Sequence, residues 1–300
     1  HKLGYQGLKV VAEQNTPDGN FPTVANGVAN PEDPNALSLA ISEARETDAD
    51  LVLASDPDAD RLGCALPHAT KGWDAEPHEL AINGNQIGVI LAHYILDTNQ
   101  KTGTLPPKAL VCKTIVTTDL ITLIAKHFHA KPVDNLLVGF KYIAEVINNL
   151  AEDETFLFGT EESHGYLSGD FVRDKDAAAA AVLLSECAAQ LKSEGKTVRE
   201  YLDNIYRQFG YFHESQKATY REGAQGNREI TQIMIGLREN SPTQIGGHEV
   251  VEVIDYQSGQ AKNLKTGAIR TLDAGKGNVL AFTFTEAGHT RVTARPSGTE

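Results

Sequence analysis

Three aspartates spaced two apart, Asp56, Asp58 and Asp60, are the residues of this chain best placed to do chemistry. In extended backbone alternate side chains share a face, so the three carboxylates are expected to converge on one point. Converging anions repel unless a cation lies among them, and hard oxygen donors suit Mg²⁺. Arg61 follows at once and adds a fork of donors for a phosphate beside that metal. Ahead of them the apolar run 51–54 reads as a buried strand, which Pro57 ends for want of an amide proton. A solvated acidic loop is the plain alternative. The strand, the proline and the adjoining Arg61 and Gly63 favour a metal site.

Two other readings of the stretch turn on its spelling. A calcium EF-hand loop needs Gly at its sixth position and Glu at its twelfth, where this chain has Arg61 and Pro67. A phosphatase of the haloacid dehalogenase type, with Asp56 as nucleophile, resembles Asp-x-Asp-x-Thr/Val. Asp60 stands at its last position and weakens that reading.

The elements around these aspartates follow an α/β order. A strand is expected at Leu8, Val10 and Val11, then a helix carrying Leu37, Ala40, Ile41 and Ala44, then the strand that ends in the metal loop. A helix runs from about Asn83 to Leu96, and the Gly- and Pro-bearing segment 99–107 reads as a linker. The middle third repeats the theme: a strand over 109–116, a helix capped by Asp119, a short strand over 136–138, a helix with Ile143, Val146, Ile147 and Leu150, and a strand over 155–158. An alanine-rich helix and one opened by a Thr197/Glu200 capping box follow. The last third changes to one helix from Asn227 and short strands near 249–255, 268–272, 278–285 and 290–295. The expected fold is α/β, with two similar mixed α/β sheet domains, 1–106 and 107–212, and a smaller α+β domain, 213–300.

Composition is that of an ordinary water-soluble chain, 41% apolar and 22% charged, with no apolar run long enough to span a bilayer. A net charge of −13 argues against nucleic acid or an anionic membrane as partner. Any phosphate site must be a local cluster of cations. Cys64, Cys112 and Cys187 are scattered, which fits a reducing, cytoplasmic setting and offers no zinc site. The chain opens at His1, has its single Met at 234 and stops at Glu300, and is expected to be a piece of a longer protein.

Beyond the metal loop, two further stretches stand in order: Gly159-Thr160-Glu161-Glu162-Ser163-His164-Gly165 and Arg295-Pro296-Ser297-Gly298-Thr299-Glu300. With all three, the chain resembles the α-D-phosphohexomutases, the phosphoglucomutase and phosphomannomutase enzymes, over essentially its whole length. The resemblance implies the second, third and most of the fourth domain of a four-domain enzyme. It implies Asp56, Asp58 and Asp60 as Mg²⁺ ligands and Arg61 as the residue that steadies a phosphoserine. Lys175, within Arg173-Asp174-Lys175-Asp176, is implied near the transferred phosphoryl group. Glu161 and Ser163 are implied to bond sugar hydroxyls, Gly139, Phe140 and Lys141 to face the sugar, and Arg295, Ser297, Gly298 and Thr299 to grip the non-reacting phosphate. Val138 stands where the family pattern has Thr.

The residue types suit those roles. Glu161 offers an acceptor and Ser163 a donor–acceptor, as vicinal hydroxyls require, although a helix cap would use them equally well. The Gly-bounded loop after Pro296 offers donors to a dianion, although a plain turn is as good an account. Lys175 by itself is a surface lysine, and His164 a possible proton carrier. The family activity moves a phosphoryl group between the 1- and 6-positions of a hexose phosphate through a phosphoserine and a bisphosphate, with a glucose 1,6-bisphosphate-type activator. No segment resembling its Thr/Ala-Ser-His-Asn-Pro nucleophile occurs here. A partner N-terminal domain is therefore expected to supply it, and this chain alone to be inactive. A non-catalytic phosphosugar-binding protein is the alternative from another class.

Overall fold

The computed structural model describes residues 4–5, 7–24, 27–285 and 288–297. The chain forms a mixed α/β structure of two compact units. One comprises 1–113, 120–133 and 139–212; the other comprises 114–119, 134–138 and 213–300.

The first unit begins without the expected strand at Leu8–Val11. Leu8 and Val10 stand 51% and 58% exposed, and a 3-10 turn follows at Ala12–Gln14. No strand among the described residues pairs with this segment, and its apolar side chains stay largely exposed. After a 3-10 turn at Pro34–Leu37, whose first free amide bonds the Asp33 carboxylate, helix α1 spans Ser38–Thr47. Strands β1 (Val52–Ser55), β2 (Leu62–Ala65) and β3 (Ala81–Ile82) form an antiparallel sheet in that order, with the short helix α2 (Pro77–Leu80) before β3. Leu37, Ile41, Val52, Trp73 and Leu80 make their core.

Helix α3 (Gly84–Thr102) is buried on nearly every side from Gly84 to Leu96 and mostly apolar there, as a helix walled in by neighbours must be. Asn83 and Gln86 form its capping box, and Gly103, at φ +72°, ends it. The helix thus takes up much of the expected linker. It packs on α4 (Leu120–His127), β6 (Thr155–Glu161), α6 (Ala177–Ser193) and α7 (Val198–Phe209). The sheet it covers runs β5 (Lys131–Leu136), β4 (Ala109–Thr114), β6, β7 (Gly165–Ser168), with β4 and β6 parallel and β6 and β7 a hairpin. Helix α5 spans Phe140–Asn148, and the Thr197/Glu200 box opens α7. The three cysteines are buried free thiols.

In the second unit, helix α8 (Gly223–Glu239) accompanies a five-stranded antiparallel sheet. Its strands are β10 (Glu252–Asp255), β11 (Gln260–Asn263), β12 (Ile269–Thr271), β13 (Leu280–Thr283) and β14 (Arg291–Ala294), in the order β12-β11-β10-β13-β14. A small hairpin of β8 (Gln244–Ile245) and β9 (His248–Glu249) turns on Gly246 and Gly247, both at positive φ. Met234, Val250, Val253, Leu280 and Phe282 form the core. Arg291 donates two bonds to the Asp119 carboxylate, at 2.6 and 3.2 Å, and one to the Ile115 carbonyl.

Candidate active site

Asp56 builds the loop at the end of β1. Its Oδ1 accepts from the amides of Asp60 (3.1 Å) and Arg61 (2.9 Å), and its Oδ2 from Arg61 Nε (2.8 Å). Its carbonyl accepts from the Ala59 amide at 3.0 Å, and Ala59 sits at φ +59°. A left-handed alanine costs about 1–3 kcal/mol. That strain is held by the Ala177 amide at the start of α6, which donates to the Ala59 carbonyl at 3.1 Å. The aspartates do converge, one oxygen of each within 4.8 Å of the others. They do so through a turn rather than along an extended strand, because the Asp56 side chain gathers the amides that follow it.

The electrostatics suit a cation. Asp56 is buried and Asp58 exposed, with Asp60 between them. Burial pushes Asp56 up, but the backbone and side-chain bonds from Arg61 outweigh it and hold the carboxyl below the usual range. Asp60 is raised by burial, with the neighbouring Asp56 adding to it, in spite of its ion pair with Lys175. Three carboxylates in mutual repulsion with only oxygen donors fit a hard divalent ion such as Mg²⁺.

Lys175 meets this loop from 115 residues away in sequence: Nζ lies 2.8 Å from Asp60 Oδ2 and 3.1 Å from Asp174 Oδ1. Burial lowers its pKa, and those two carboxylates more than reverse the effect, so the ammonium stays charged. The lysine stem needs Gly165, where a Cβ would fall 2.2 Å from Lys175 Cδ. Nζ also stands over the Phe140 ring, 5.6 Å from its centre.

The stretch 159–165 is the end of β6, a turn and the start of β7. Glu161, the last residue of β6, accepts the Gly139 amide at 2.7 Å. Burial pushes the Glu161 carboxyl up to about 7, although that bond pulls it down. Ser163 is half-buried in the turn, and Lys141 is exposed with its ammonium 5.0 Å from the Tyr142 ring centre. His164 is 5% exposed and its ring Nδ1 lies 3.0 Å from the Leu62 carbonyl. Burial drives its pKa down to about 4. Its own carbonyl accepts the Leu62 amide at 3.0 Å, so this histidine fastens the hairpin turn to β2. Gly84 lets α3 approach the same turn; a Cβ there would lie 2.0 Å from the Glu162 carbonyl oxygen.

Aspartate loop, lysine, hairpin and the 139–141 segment thus come together within the first unit. Arg295 and Ser297 follow β14 in the second unit, and Gly298 and Thr299 lie outside the described residues. Sequence reasoning missed Asn30 and Glu32, whose side-chain oxygens lie 3.3 and 3.4 Å from Arg61 Nη1.

The model of phosphoglucomutase/phosphomannomutase alpha/beta/alpha domain III matches residues 83–209, and that of domain II matches 1–70. A phosphoglucomutase of Staphylococcus epidermidis is 37% identical over 298 residues, 99% of this chain and 52% of that protein. The chain belongs to the phosphoglucomutase/phosphomannomutase family. Its fold is similar to the phosphoglucomutase pp63/parafusin of Paramecium (TM-score 0.52, 17% identity, 95% of this chain and 43% of that one). A family protein of Burkholderia thailandensis is similar too (TM-score 0.51, 15% identity, 92% and 48%). The chain spans about half the length of the curated relatives it matches. The two family models leave 71–82 between them, ahead of α3, whereas the expected first boundary lay after α3 at 106/107.

Proposed function

We propose that this chain is part of a phosphohexomutase that moves a phosphoryl group between the 1- and 6-positions of a hexose phosphate through a phosphoserine and a bisphosphate. The observation that carries the reading is the 2.8 Å pair of Lys175 with Asp60, which joins the acidic loop to the lysine motif beside Glu161 and Phe140. Asp56, Asp58 and Asp60 would hold Mg²⁺, which when bound offsets negative charge building on phosphoryl oxygens. Arg61 offers guanidinium hydrogens to the same oxygens. Lys175, held charged, offsets charge there and has a proton to give to a sugar oxygen. Glu161 and Ser163 bond sugar hydroxyls, the segment Gly139-Phe140-Lys141 lines the sugar's path, and Arg295, Ser297, Gly298 and Thr299 take the distal phosphate.

The phosphoserine would come from a further segment of a longer protein, with a glucose 1,6-bisphosphate-type molecule as activator and the cytoplasm as its setting. The three-part division of the chain, with its last part from 213, belongs to the same proposal. Asp56 makes a poor rival nucleophile: its side chain is 1% exposed and both oxygens already accept hydrogen bonds.

Phosphorus NMR of glucose 1-phosphate with Mg²⁺ and a trace of glucose 1,6-bisphosphate tests this. The chain alone should leave the substrate unchanged, and a longer protein carrying it should yield glucose 6-phosphate. Turnover or free phosphate from the chain alone, or none from the longer protein, overturns the reading.

A further inference from the structure

Arg61 is held at Nε and at Nη1. Nε donates to Asp56 Oδ2 at 2.8 Å, and Nη1 reaches Asn30 Oδ1 at 3.3 Å and Glu32 Oε1 at 3.4 Å. Nη2 has no hydrogen-bond partner among the described residues, and the side chain is 27% exposed. The segment that supplies the Nη1 acceptors is built tightly against β2 just after the loop. A Cβ on Gly63 would lie 2.5 Å from the Pro31 carbonyl oxygen and 2.8 Å from Pro31 Cβ, so only glycine admits Pro31 there. Asn30 Oδ1 also accepts the Glu32 amide at 3.1 Å, which fixes the acceptor it turns towards the arginine. Burial lowers the Arg61 pKa while Asp56, Glu32 and Asp60 raise it more, so the guanidinium is charged throughout.

A guanidinium held at Nε alone can still turn about its Nε–Cζ bond and exchange its two terminal nitrogens. Acceptors at Nη1 slow that rotation and fix the plane of the guanidinium, and with it the direction in which the outward nitrogen points. We propose that Asn30 and Glu32 are positioning residues that lock Arg61 by Nη1 and thereby present Nη2 to a phosphoryl group. The lock is a property of this chain alone; its value for phosphoryl transfer rests on the function proposed above. Holding a donor in place before the ligand arrives spares the ordering cost at the moment of reaction.

Guanidinium nitrogen NMR of the 300-residue chain reads the lock without any turnover. In the unaltered chain the Arg61 Nη1 and Nη2 protons should give separate signals. In Asn30→Ala combined with Glu32→Ala they should merge, while Asn30→Asp, which keeps an acceptor, should leave them apart. Separate signals in the double variant, with the rest of the spectrum unchanged, overturn the lock. In the longer protein, Asn30→Ala should lower kcat about ten- to a hundredfold, the range seen for lost outer partners of a site's working groups, with KM for the sugar phosphate little changed. The same change made on an Arg61→Lys background should cost nothing more. An equal loss on both backgrounds would show a merely structural role. A longer protein with no mutase activity but an intact lock would refute the function and leave this inference standing.

Discussion

Lys175 Nζ and Asp60 Oδ2 lie 2.8 Å apart, so a cation of the protein's own already answers part of the charge of the aspartate triad. The lysine and a metal ion bound there would therefore compete for the same carboxylate.

Lys175→Met should tighten Mn²⁺ binding to the 300-residue chain, and Asp60→Asn should weaken it. Each shift should be about tenfold, as expected for one charge at a few ångströms in a half-buried site. Paramagnetic resonance titration of free Mn²⁺ reads both. Unchanged or weaker binding by Lys175→Met would mean that the lysine does not screen the triad.

Gly165→Ala and Gly84→Ala separate a flexible obstacle from a rigid one. At 165 the new methyl meets the Lys175 stem, which can swing away, so Mn²⁺ affinity should shift as in Lys175→Met while stability falls by less than about 1 kcal/mol. At 84 it meets the Glu162 backbone, and urea unfolding should register a loss of about 3 kcal/mol. Equal losses at the two positions would contradict the packing described.

Glu161 should make the first unit less stable as pH rises. Its carboxyl titrates near 7 when folded and near 4.5 otherwise, so between those values the folded chain binds the extra proton. Stability is highest below the lower value and falls through the window, by about 3 kcal/mol in all. Glu161→Gln keeps an acceptor for the Gly139 amide and abolishes the slope. Urea unfolding at pH 5 and pH 8 should find the variant and the parent alike at the lower pH, and the variant more stable at the higher. A parent whose stability is flat across that range would remove the buried carboxyl as the cause.

The aspartate loop was legible because its residues are local: six consecutive residues, 56–61, carry the aspartates and the arginine, and an apolar strand announces them. Helices with a strong apolar stripe or a spelled cap, such as α5 and α7, were equally plain. What failed was whatever needed a partner. Leu8 and Val10 have the composition of a strand, but a strand exists only beside another. The Glu161–His164 stretch reads as a loop by its polarity, yet a hairpin turn needs little more than polar residues between two paired strands. Pairings across long separations, Lys175 with Asp60 or Asn30 with Arg61, leave no periodic trace at all.

Arg291→Leu should strip Asp119 of its main partner in the second unit, where their side chains are 21% and 14% exposed. Breaking a largely enclosed pair from one side costs about 3–5 kcal/mol. Thermal unfolding followed by far-ultraviolet dichroism should show the loss. Pairing it with Asp119→Leu should recover part of it, because no orphaned charge then remains.

The second unit is stitched from three stretches of chain, 114–119, 134–138 and 213–300. Leu137 packs where Gly275 and Gly277 leave room, and Ile115 and Asp119 receive Arg291. A ribosome that has just released residue 212 has therefore made two of the three pieces and must wait for the last. Until β13 and β14 emerge, Ile115 and Leu137 have no finished core to join. The middle of the gene is thus read out long before its own residues can settle, and a protease cut near 213 would part strands from the side chains they were folded around.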